Sequence, residues 1–223
     1  MTTAGVPAFR YRPPADTGLD MLYRDDDLLL LNKPAGLLSV PGRGAAHQDS
    51  LISRVQREYP QARIVHRLDM ETSGILLLAL GKAMERRLSI LFQTRQVDKR
   101  YQAWVEGLVA ADEGRIELPL SADWPRRPRQ QVDTVRGKPA LTRYRVLARD
   151  PATRRTRLLL EPVTGRSHQL RVHLLSLGHP VVGDRLYGQP PGAEGRMLLH
   201  ACELGFIHPL LARELRVQSP VPF

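Results

Sequence analysis

Residues 62–82, ARIVHRLDMETSGILLLALGK, place a charged elbow between two apolar stretches. The flanks are rich in Ile, Val and Leu and predict two β-strands. The elbow, HRLDMETSG at 66–74, carries Arg67 and Asp69. Burying either charge without a partner would cost on the order of several kcal/mol. These two side chains therefore either pair with each other in a structural ion pair or face a cleft.

Strand and helix patterns continue on both sides of this elbow. Upstream, MLYRDDDLLLLNKP at 21–34 predicts two strands around an acidic turn, and a helix follows over 49–58 with Asp49 or Ser50 as its cap. Downstream, the spacing predicts a helix over 82–93. The remaining predicted elements are strands over 100–107, 115–118, 141–148, 157–163, 198–209 and 214–218, and a helix over 167–177 that ends at Gly178.

This order of elements indicates an α+β fold. The strands are short, the connections have hairpin lengths and helices do not alternate regularly with strands, which favours a mixed, mainly antiparallel sheet over a doubly wound parallel one. With 42% hydrophobic residues, 223 residues are enough to bury one core. Residues 1–20 are Pro-rich and lack periodicity, so we interpret them as a flexible arm before a single domain over 21–223.

The net charge of +10 is concentrated in one segment. From Asp123 to Arg157 there are eleven Lys or Arg against three Asp, which accounts for +8 of it. Arg143 and Arg145 are spaced to point to one face of a sheet and would form a basic platform. The excess favours a polyanionic partner, and the alternative is the solvated face of a hairpin.

Several classes of protein are excluded by what the sequence lacks. One cysteine, Cys202, cannot build a disulfide framework or a multi-cysteine metal site. The N-terminus has no apolar signal core, and the longest aliphatic run, Ile75–Leu80, is too short to cross a bilayer. A cytoplasmic protein without membrane contact is therefore expected. The chain has no phosphate-binding loop, dinucleotide fingerprint or HExxH motif.

No metal site is predicted either. His168 and His173 are five residues apart, so on a helix they do not share a face as zinc ligands would. The carboxylates of Asp25, Asp26 and Asp27 could hold a divalent cation, but an acidic turn before a strand accounts for them.

A second polar segment, PVTGRSHQLRVHLLSLGHPVVGD at 162–184, matches the elbow in character. A turn there opens a helix that carries Arg166, His168, Arg171 and His173. A carboxylate nucleophile must be ionised, and a cation beside Asp69 would favour that form.

The elbow resembles the HRLDxxTSG signature of the RluA family of pseudouridine synthases. Four further blocks resemble that family in its order and spacing, namely LNKPAGLLSVPG at 31–42, KRYQAWVEG at 99–107, GRSHQLRVHLLSLGHPVVGDRLYG at 165–188 and LLHA at 198–201. The resemblance covers about 21–223. It implies a sheet in two halves with the active cleft between them.

The family's reaction converts a uridine within RNA to pseudouridine: the N1 glycosidic bond breaks, the uracil turns and C5 rejoins the ribose. By resemblance, Asp69 is the essential aspartate, which acts by attack on C1′, by addition to C6 or through a glycal route. Tyr101 matches the tyrosine that packs on the target base, and Arg171 the arginine that pairs with the aspartate. The isomerisation involves no net redox change or hydrolysis, so no cofactor is expected.

Further residues are assigned to RNA by the same resemblance and by charge. Arg67 would help to replace the flipped base or form a structural pair, Lys33 would contact phosphate or be merely solvated, and Leu199 would line the uracil pocket or belong to the core. The basic side chains expected to bind RNA are Arg126, Arg127, Arg129, Lys138 and Arg166.

The stretch 118–144 resembles the small dual-specificity branch of the family, which acts on tRNA anticodon loops and 23S rRNA. No separate RNA-binding module is expected before the catalytic blocks, and a monomer without an obligate protein partner is expected as well. Two competing interpretations remain. One is a noncatalytic RNA-binding protein, and the other is an RNA glycosidase or nuclease with Glu71 as a second carboxylate.

Overall fold

The structure is a computed structural model that describes residues 11–223. Within them, the α-helices are Leu51–Val55 (α1), Lys82–Gln93 (α2) and Gln169–Ser176 (α3). The strands are Met21–Arg24 (β1), Leu28–Lys33 (β2), Ala62–Ile64 (β3), Ser73–Leu80 (β4), Asp98–Glu106 (β5), Glu113–Glu117 (β6), Leu120–Ala122 (β7), Gln130–Val132 (β8), Leu141–Asp150 (β9), Arg155–Pro162 (β10), Leu199–Ile207 (β11) and Glu214–Gln218 (β12).

Ten strands form one sheet, in the order β1-β2-β4-β11-β5-β10-β9-β6, with β3 paired to β4 and β12 paired to β11. Only β4 and β11 pair in parallel, through Ser73 with His200 and Gly74 with Ala201. The remaining two strands, β7 and β8, form a separate hairpin. The expected α+β class with a mixed, mainly antiparallel sheet is confirmed.

The N-terminal half of the sheet is covered on both faces. One face of β2 and β4 packs against α2 through Met84 and Leu88, and the other packs against α1. A strand that is buried on both faces needs an apolar residue at every position. This explains the four consecutive leucines of β2, all of which are fully buried.

The C-terminal half is covered on one face only. Helix α3 packs there through Leu170 and Leu174. Successive side chains of a strand alternate between faces, so Arg143 and Arg145 of β9 point away from α3 while Thr142 and Tyr144 point toward it. Arg143 and Arg145 therefore share one exposed face of the sheet, as predicted, and this face lies opposite α3.

Residues 11–20 differ from the expectation of a free arm. They have no regular secondary structure, but Tyr11 is buried and donates a hydrogen bond to the backbone oxygen of Asp49. Arg54 of α1 donates to the carbonyl of Pro14 at 2.7 Å. This part of the predicted arm is thus fixed against α1, and residues 1–10 lie outside the described residues.

Most predicted elements are present with bounds close to the expected ones. The helix predicted over 49–58 is shorter, because the chain after Val55 forms turns. Its cap is Ser50, whose side chain accepts from the backbone of Ser53. Strands β7 and β8 were not predicted. No helix of residues 11–223 is long and apolar enough to cross a membrane.

Candidate active site

The elbow between β3 and β4 is held by the segment that follows β2. The hydroxyl of Ser39 donates to the carbonyl of Leu68 at 2.7 Å and accepts from the amide of the same residue at 3.1 Å. The amide of Gly36 donates to the carbonyl of Met70 at 2.9 Å. These bonds lie on either side of Asp69, so the backbone that carries its carboxylate is fixed.

Asp69 faces helix α3 from the N-terminal half of the sheet. Arg171 Nη1 donates to its Oδ2 at 3.1 Å. Arg171 Nε and Nη2 donate to the two oxygens of Asp184, each at 2.7 Å. Arg171 is 4% exposed and Asp184 is fully buried, whereas Asp69 is 26% exposed. The two neighbouring carboxylates raise the pKa of Arg171, so it is a permanent cation beside an accessible carboxylate.

This pairing decides between the two interpretations of the elbow. Asp69 pairs with Arg171 and not with Arg67. The Arg67 side chain is exposed and forms no ion pair with any of residues 11–223. The elbow therefore faces a cleft between the two halves of the sheet, as the cleft interpretation required.

Tyr101 lies on β5, where the apolar clusters of the two halves meet. Burial and the charge of Asp69 both raise the pKa of its hydroxyl, which keeps the phenol neutral. Its cross-strand partner is Ala201 of β11. Leu199, two residues earlier, is 2% exposed and packs in the core cluster over α3. A contact of Leu199 with the uracil stays a prediction.

Gly74 permits the close approach of β4 to β11 behind this site. Its φ is 110°, and a Cβ atom there would lie 2.2 Å from the backbone oxygen of Ala201. Glycine is therefore required by both conformation and space. The approach also brings Ser73 within 2.7 Å of the His200 ring, which fixes the end of the elbow to β11.

His168 is the second group that faces Asp69. Its Nε2 lies 3.9 Å from Asp69 Oδ1, and its Nδ1 lies 2.7 Å from the hydroxyl of Tyr187. Burial lowers the pKa of this histidine, so its ring is neutral near pH 7. The carboxylate of Asp69 thus has the Arg171 guanidinium near one oxygen and an imidazole near the other.

The prediction that Lys33 contacts phosphate is wrong. Lys33 is fully buried, and its Nζ donates to the carbonyls of Pro34, Leu37 and Met70 at 2.7–3.0 Å. Burial lowers its pKa to about 7, against the opposing effect of Asp69 and Glu71. Lys33 ties the end of β2 to the elbow and is out of reach of RNA.

The β7–β8 hairpin, residues 120–132, packs on α3 next to the site. Leu120 and Val132 contact Val172, and the groove between hairpin and helix has a volume of about 230 Å³. The connecting loop carries Trp124, with Arg127 stacked 3.2 Å above its ring. Arg126 pairs with Asp123, Arg129 lies over Tyr187, and Lys138 and Arg166 are exposed nearby.

Within residues 11–223, one cluster resembles a set of metal ligands. Side-chain atoms of Asp25, Asp27 and His208 lie within 4.8 Å of one another. However, His208 Nδ1 accepts from the amides of Leu210 and Leu211, and its Nε2 lies 3.3 Å from Asp25 Oδ2 without a hydrogen bond to it. The ring is thus held by the backbone of its own segment. The cluster ties the β1–β2 turn to the segment after β11.

Comparisons with known proteins agree with this geometry. The model of the RNA pseudouridylate synthase family matches residues 27–176. The chain is 49% identical over 215 residues to the dual-specificity RNA pseudouridine synthase RluA of Escherichia coli (strain K12), covering 96% of this chain and 98% of that protein. The chain belongs to the RluA family of RNA pseudouridine synthases.

Other relatives agree with this assignment. The dual-specificity RluA of Vibrio cholerae (serotype O1) is 50% identical to this synthase over 201 residues, covering 89% of this chain and 81% of that one. The solved structure of human RNA pseudouridylate synthase domain containing 1 superposes with a TM-score of 0.76 at 33% identity. It covers 95% of this chain and 87% of the human one.

Sequence reasoning missed two residues of this synthase's site. One is Asp184, the last residue of the polar segment 162–184. The signal for it was available, because a buried Arg171 that faces the partly exposed Asp69 needs a second anion beside it. Tyr187 lies in the matched block 165–188 and carried no local signal, because its partners come from distant parts of the chain.

Proposed function

We propose that the protein isomerises uridine to pseudouridine in tRNA anticodon stem-loops and in 23S rRNA, with Asp69 as its essential residue. The observation that carries the proposal is the 3.1 Å contact between Arg171 and Asp69 in the cleft between the two halves of the sheet. This contact sets the partly exposed Asp69 carboxylate beside a permanent cation in the cleft, which supports a reaction with an extruded nucleotide.

The reaction needs little beyond these groups. The N1–C1′ bond breaks, the uracil turns and a C5–C1′ bond forms, while C5 loses a hydrogen and N1 gains one, so no co-reactant enters. Asp69 initiates the cleavage, the neutral ring of Tyr101 packs on the uracil, and Arg171 holds the carboxylate in place.

Extrusion of the target nucleotide costs a few kcal/mol, least in a loop. The exposed Arg67, two residues before Asp69 in the chain, would occupy the space that the nucleotide leaves. The basic side chains of the β7–β8 hairpin and its surroundings, Arg126, Arg127, Arg129, Lys138 and Arg166, would bind the phosphates. The stem-loop would then lie over α3, because the hairpin packs on this helix and the helix also carries Arg171 of the cleft.

The tRNA and 23S rRNA targets are supported by the resemblance of 118–144 to the dual-specificity branch, and the relatives from Escherichia coli and Vibrio cholerae are themselves dual-specificity RNA pseudouridine synthases. We further propose that the protein acts in the cytoplasm as a monomer, because Asp69, Arg171 and Asp184 already contact one another within a single copy and the cleft does not need a charged group from a second one.

The test is incubation with unmodified tRNA and 23S rRNA transcripts, without metal or nucleotide, followed by carbodiimide-stop mapping of pseudouridine. We expect a stop in an anticodon loop and in the rRNA with the wild type, and none with Asp69→Asn that folds and binds both RNAs. Pseudouridine at the normal rate from Asp69→Asn would refute the role of Asp69. Release of free uracil or cleavage of the chain would favour a hydrolase.

A further inference from the structure

Tyr187 lies between the β7–β8 hairpin and the charged groups of the cleft. Its hydroxyl accepts from the amide of Gln130, the first residue of β8, at 2.6 Å and lies 2.7 Å from His168 Nδ1. Arg129 of the hairpin lies 5.2 Å from the centre of its ring, and Arg171 lies 5.0 Å from the same centre. One side chain thus contacts both the RNA-facing hairpin and the groups around Asp69.

The hydrogen bonds of this phenol fix the protons of the site. A tyrosine hydroxyl has one proton to donate. Because Tyr187 accepts from Gln130, that proton is free to point at His168 Nδ1, which then accepts. The neutral His168 ring then carries its own proton on Nε2, which lies 3.9 Å from Asp69 Oδ1, farther than a hydrogen bond reaches. Hydrogen bonds therefore connect the hairpin backbone to Tyr187 and Tyr187 to His168, and the His168 ring faces Asp69.

The backbone of His168 is held in an uncommon conformation at this point. Its φ of 53° is in the left-handed region, at the N-cap position of α3. A non-glycine residue there costs on the order of 1 kcal/mol or more and persists where its surroundings impose it. The bond to Tyr187 is one such constraint, and it turns the ring toward Asp69.

We propose that Tyr187 is a positioning residue that couples the docking of RNA on the β7–β8 hairpin to the orientation of Asp69, acting through His168. The inference rests on the proposed function, since it concerns the same carboxylate and the same RNA. Arg129 precedes Gln130 directly, so a phosphate bound by the hairpin arginines seats the amide that holds the Tyr187 hydroxyl.

The alternative is that Tyr187 only fills the core. It is 7% exposed and packs with Leu120, Ala140 and Val172. Tyr187→Phe separates the two roles, because it keeps the packed ring and removes only the hydroxyl. A matched control is Tyr59→Phe, which removes a hydroxyl that accepts an exposed hydrogen bond from Arg24.

The measurement is single-turnover pseudouridine formation with a tRNA transcript at saturating enzyme, together with RNA affinity and melting temperature. For Tyr187→Phe we expect a rate lowered by roughly tenfold, with affinity unchanged within about twofold. For Tyr59→Phe we expect the wild-type rate. A full rate from Tyr187→Phe would overturn the coupling, and so would a loss that is seen only below saturation and disappears at saturating enzyme.

Two double-mutant cycles test the route. His168→Asn suits the left-handed backbone and keeps a partner for Tyr187, but removes the ring that faces Asp69. If Tyr187 acts through His168, the double variant Tyr187→Phe, His168→Asn is about as slow as the slower of the two single variants.

The second cycle uses Arg127→Gln. This substitution should lower the rate at saturating enzyme in the wild-type background but not in the Tyr187→Phe background. Multiplicative losses in either cycle would refute the route.

The two proposals fail in different ways. If the wild type forms no pseudouridine in any of these RNAs, the proposed function falls and the coupling falls with it. If the wild type is active, Asp69→Asn is inactive and Tyr187→Phe is fully active, the function stands and only the coupling is refuted.

Discussion

Asp184 holds the guanidinium of Arg171 by two hydrogen bonds of 2.7 Å, and this bidentate contact leaves Nη1 directed at Asp69, 3.1 Å away. Asp184 is fully buried and also accepts from the amides of Leu186 and Tyr187. The cation is therefore oriented before substrate arrives. Such preorganisation is what a carboxylate that reacts at one fixed angle requires.

The first prediction concerns this buried pair. Asp184→Asn keeps the shape of the side chain but leaves Arg171 with only the partly exposed Asp69 as a counter-charge. Breaking a buried ion pair typically costs about 3–5 kcal/mol, so we expect a clear loss in the free energy of unfolding and a single-turnover rate at least about tenfold lower.

Denaturant unfolding and single-turnover assays check this pair of effects. A matched control is Glu161→Gln, which removes a carboxylate paired with Arg100 at 3.0 Å on the exposed face of the sheet. Exposed pairs contribute about 0–1 kcal/mol, so stability and rate should both stay near the wild type. An Asp184→Asn protein as stable and active as this control would refute the orienting role.

The second prediction separates the ring of Tyr101 from its hydroxyl. Tyr101→Phe keeps the aromatic face, so RNA affinity should stay within about twofold. The rate of pseudouridine formation should fall, because the hydroxyl lies within the field of Asp69. Tyr101→Leu should lower both affinity and rate, since base stacking contributes about 1–3 kcal/mol. A full rate from the Phe variant would leave stacking as the only role.

The third prediction concerns the salt dependence of RNA binding. We expect weaker RNA binding from the triple variant Arg126→Gln, Arg127→Gln and Arg129→Gln. The slope of log affinity against log salt should also become less steep by roughly 2 units, because fewer phosphate contacts mean that fewer counterions are released on binding. The control is Arg143→Gln with Arg145→Gln, on the face of the sheet that points away from α3. An equal change of the slope in both variants would mean that the hairpin is not the main RNA-binding surface.

The sequence was most informative where the chemistry is local. The elbow around Asp69 and the apolar strand that follows it were predictable from the residues of 66–80, whereas the pairing of Asp69 with Arg171, 102 positions away, was implied only by the family resemblance. Lys33 was misjudged because a lysine at a strand end is usually solvated, and only tertiary structure brings three carbonyls around its Nζ.

The remaining gaps have the same physical origin. Strands β7 and β8 have three residues each, too few to show a period, and they pair with each other instead of joining the main sheet. Tyr187 contacts Gln130 across 57 positions of sequence. Such contacts are decided by how the hairpin packs on α3, and no spacing within the chain records them.

The last prediction concerns acid stability. His200 is 1% exposed between the hydroxyls of Ser73 and Ser219, and burial lowers its pKa to about 4. An unfolded histidine titrates near 6.5, so between these values the unfolded chain binds more protons than the folded one. The contribution of His200 to the free energy of unfolding is therefore complete above pH 6.5 and should fall, by on the order of 3 kcal/mol, as the pH drops toward 4. His200→Gln cannot titrate, so urea unfolding should show a smaller fall over that window, with pH 8 as the baseline for each protein. Parallel curves for the two proteins would mean that His200 is not the group that charges on acid unfolding.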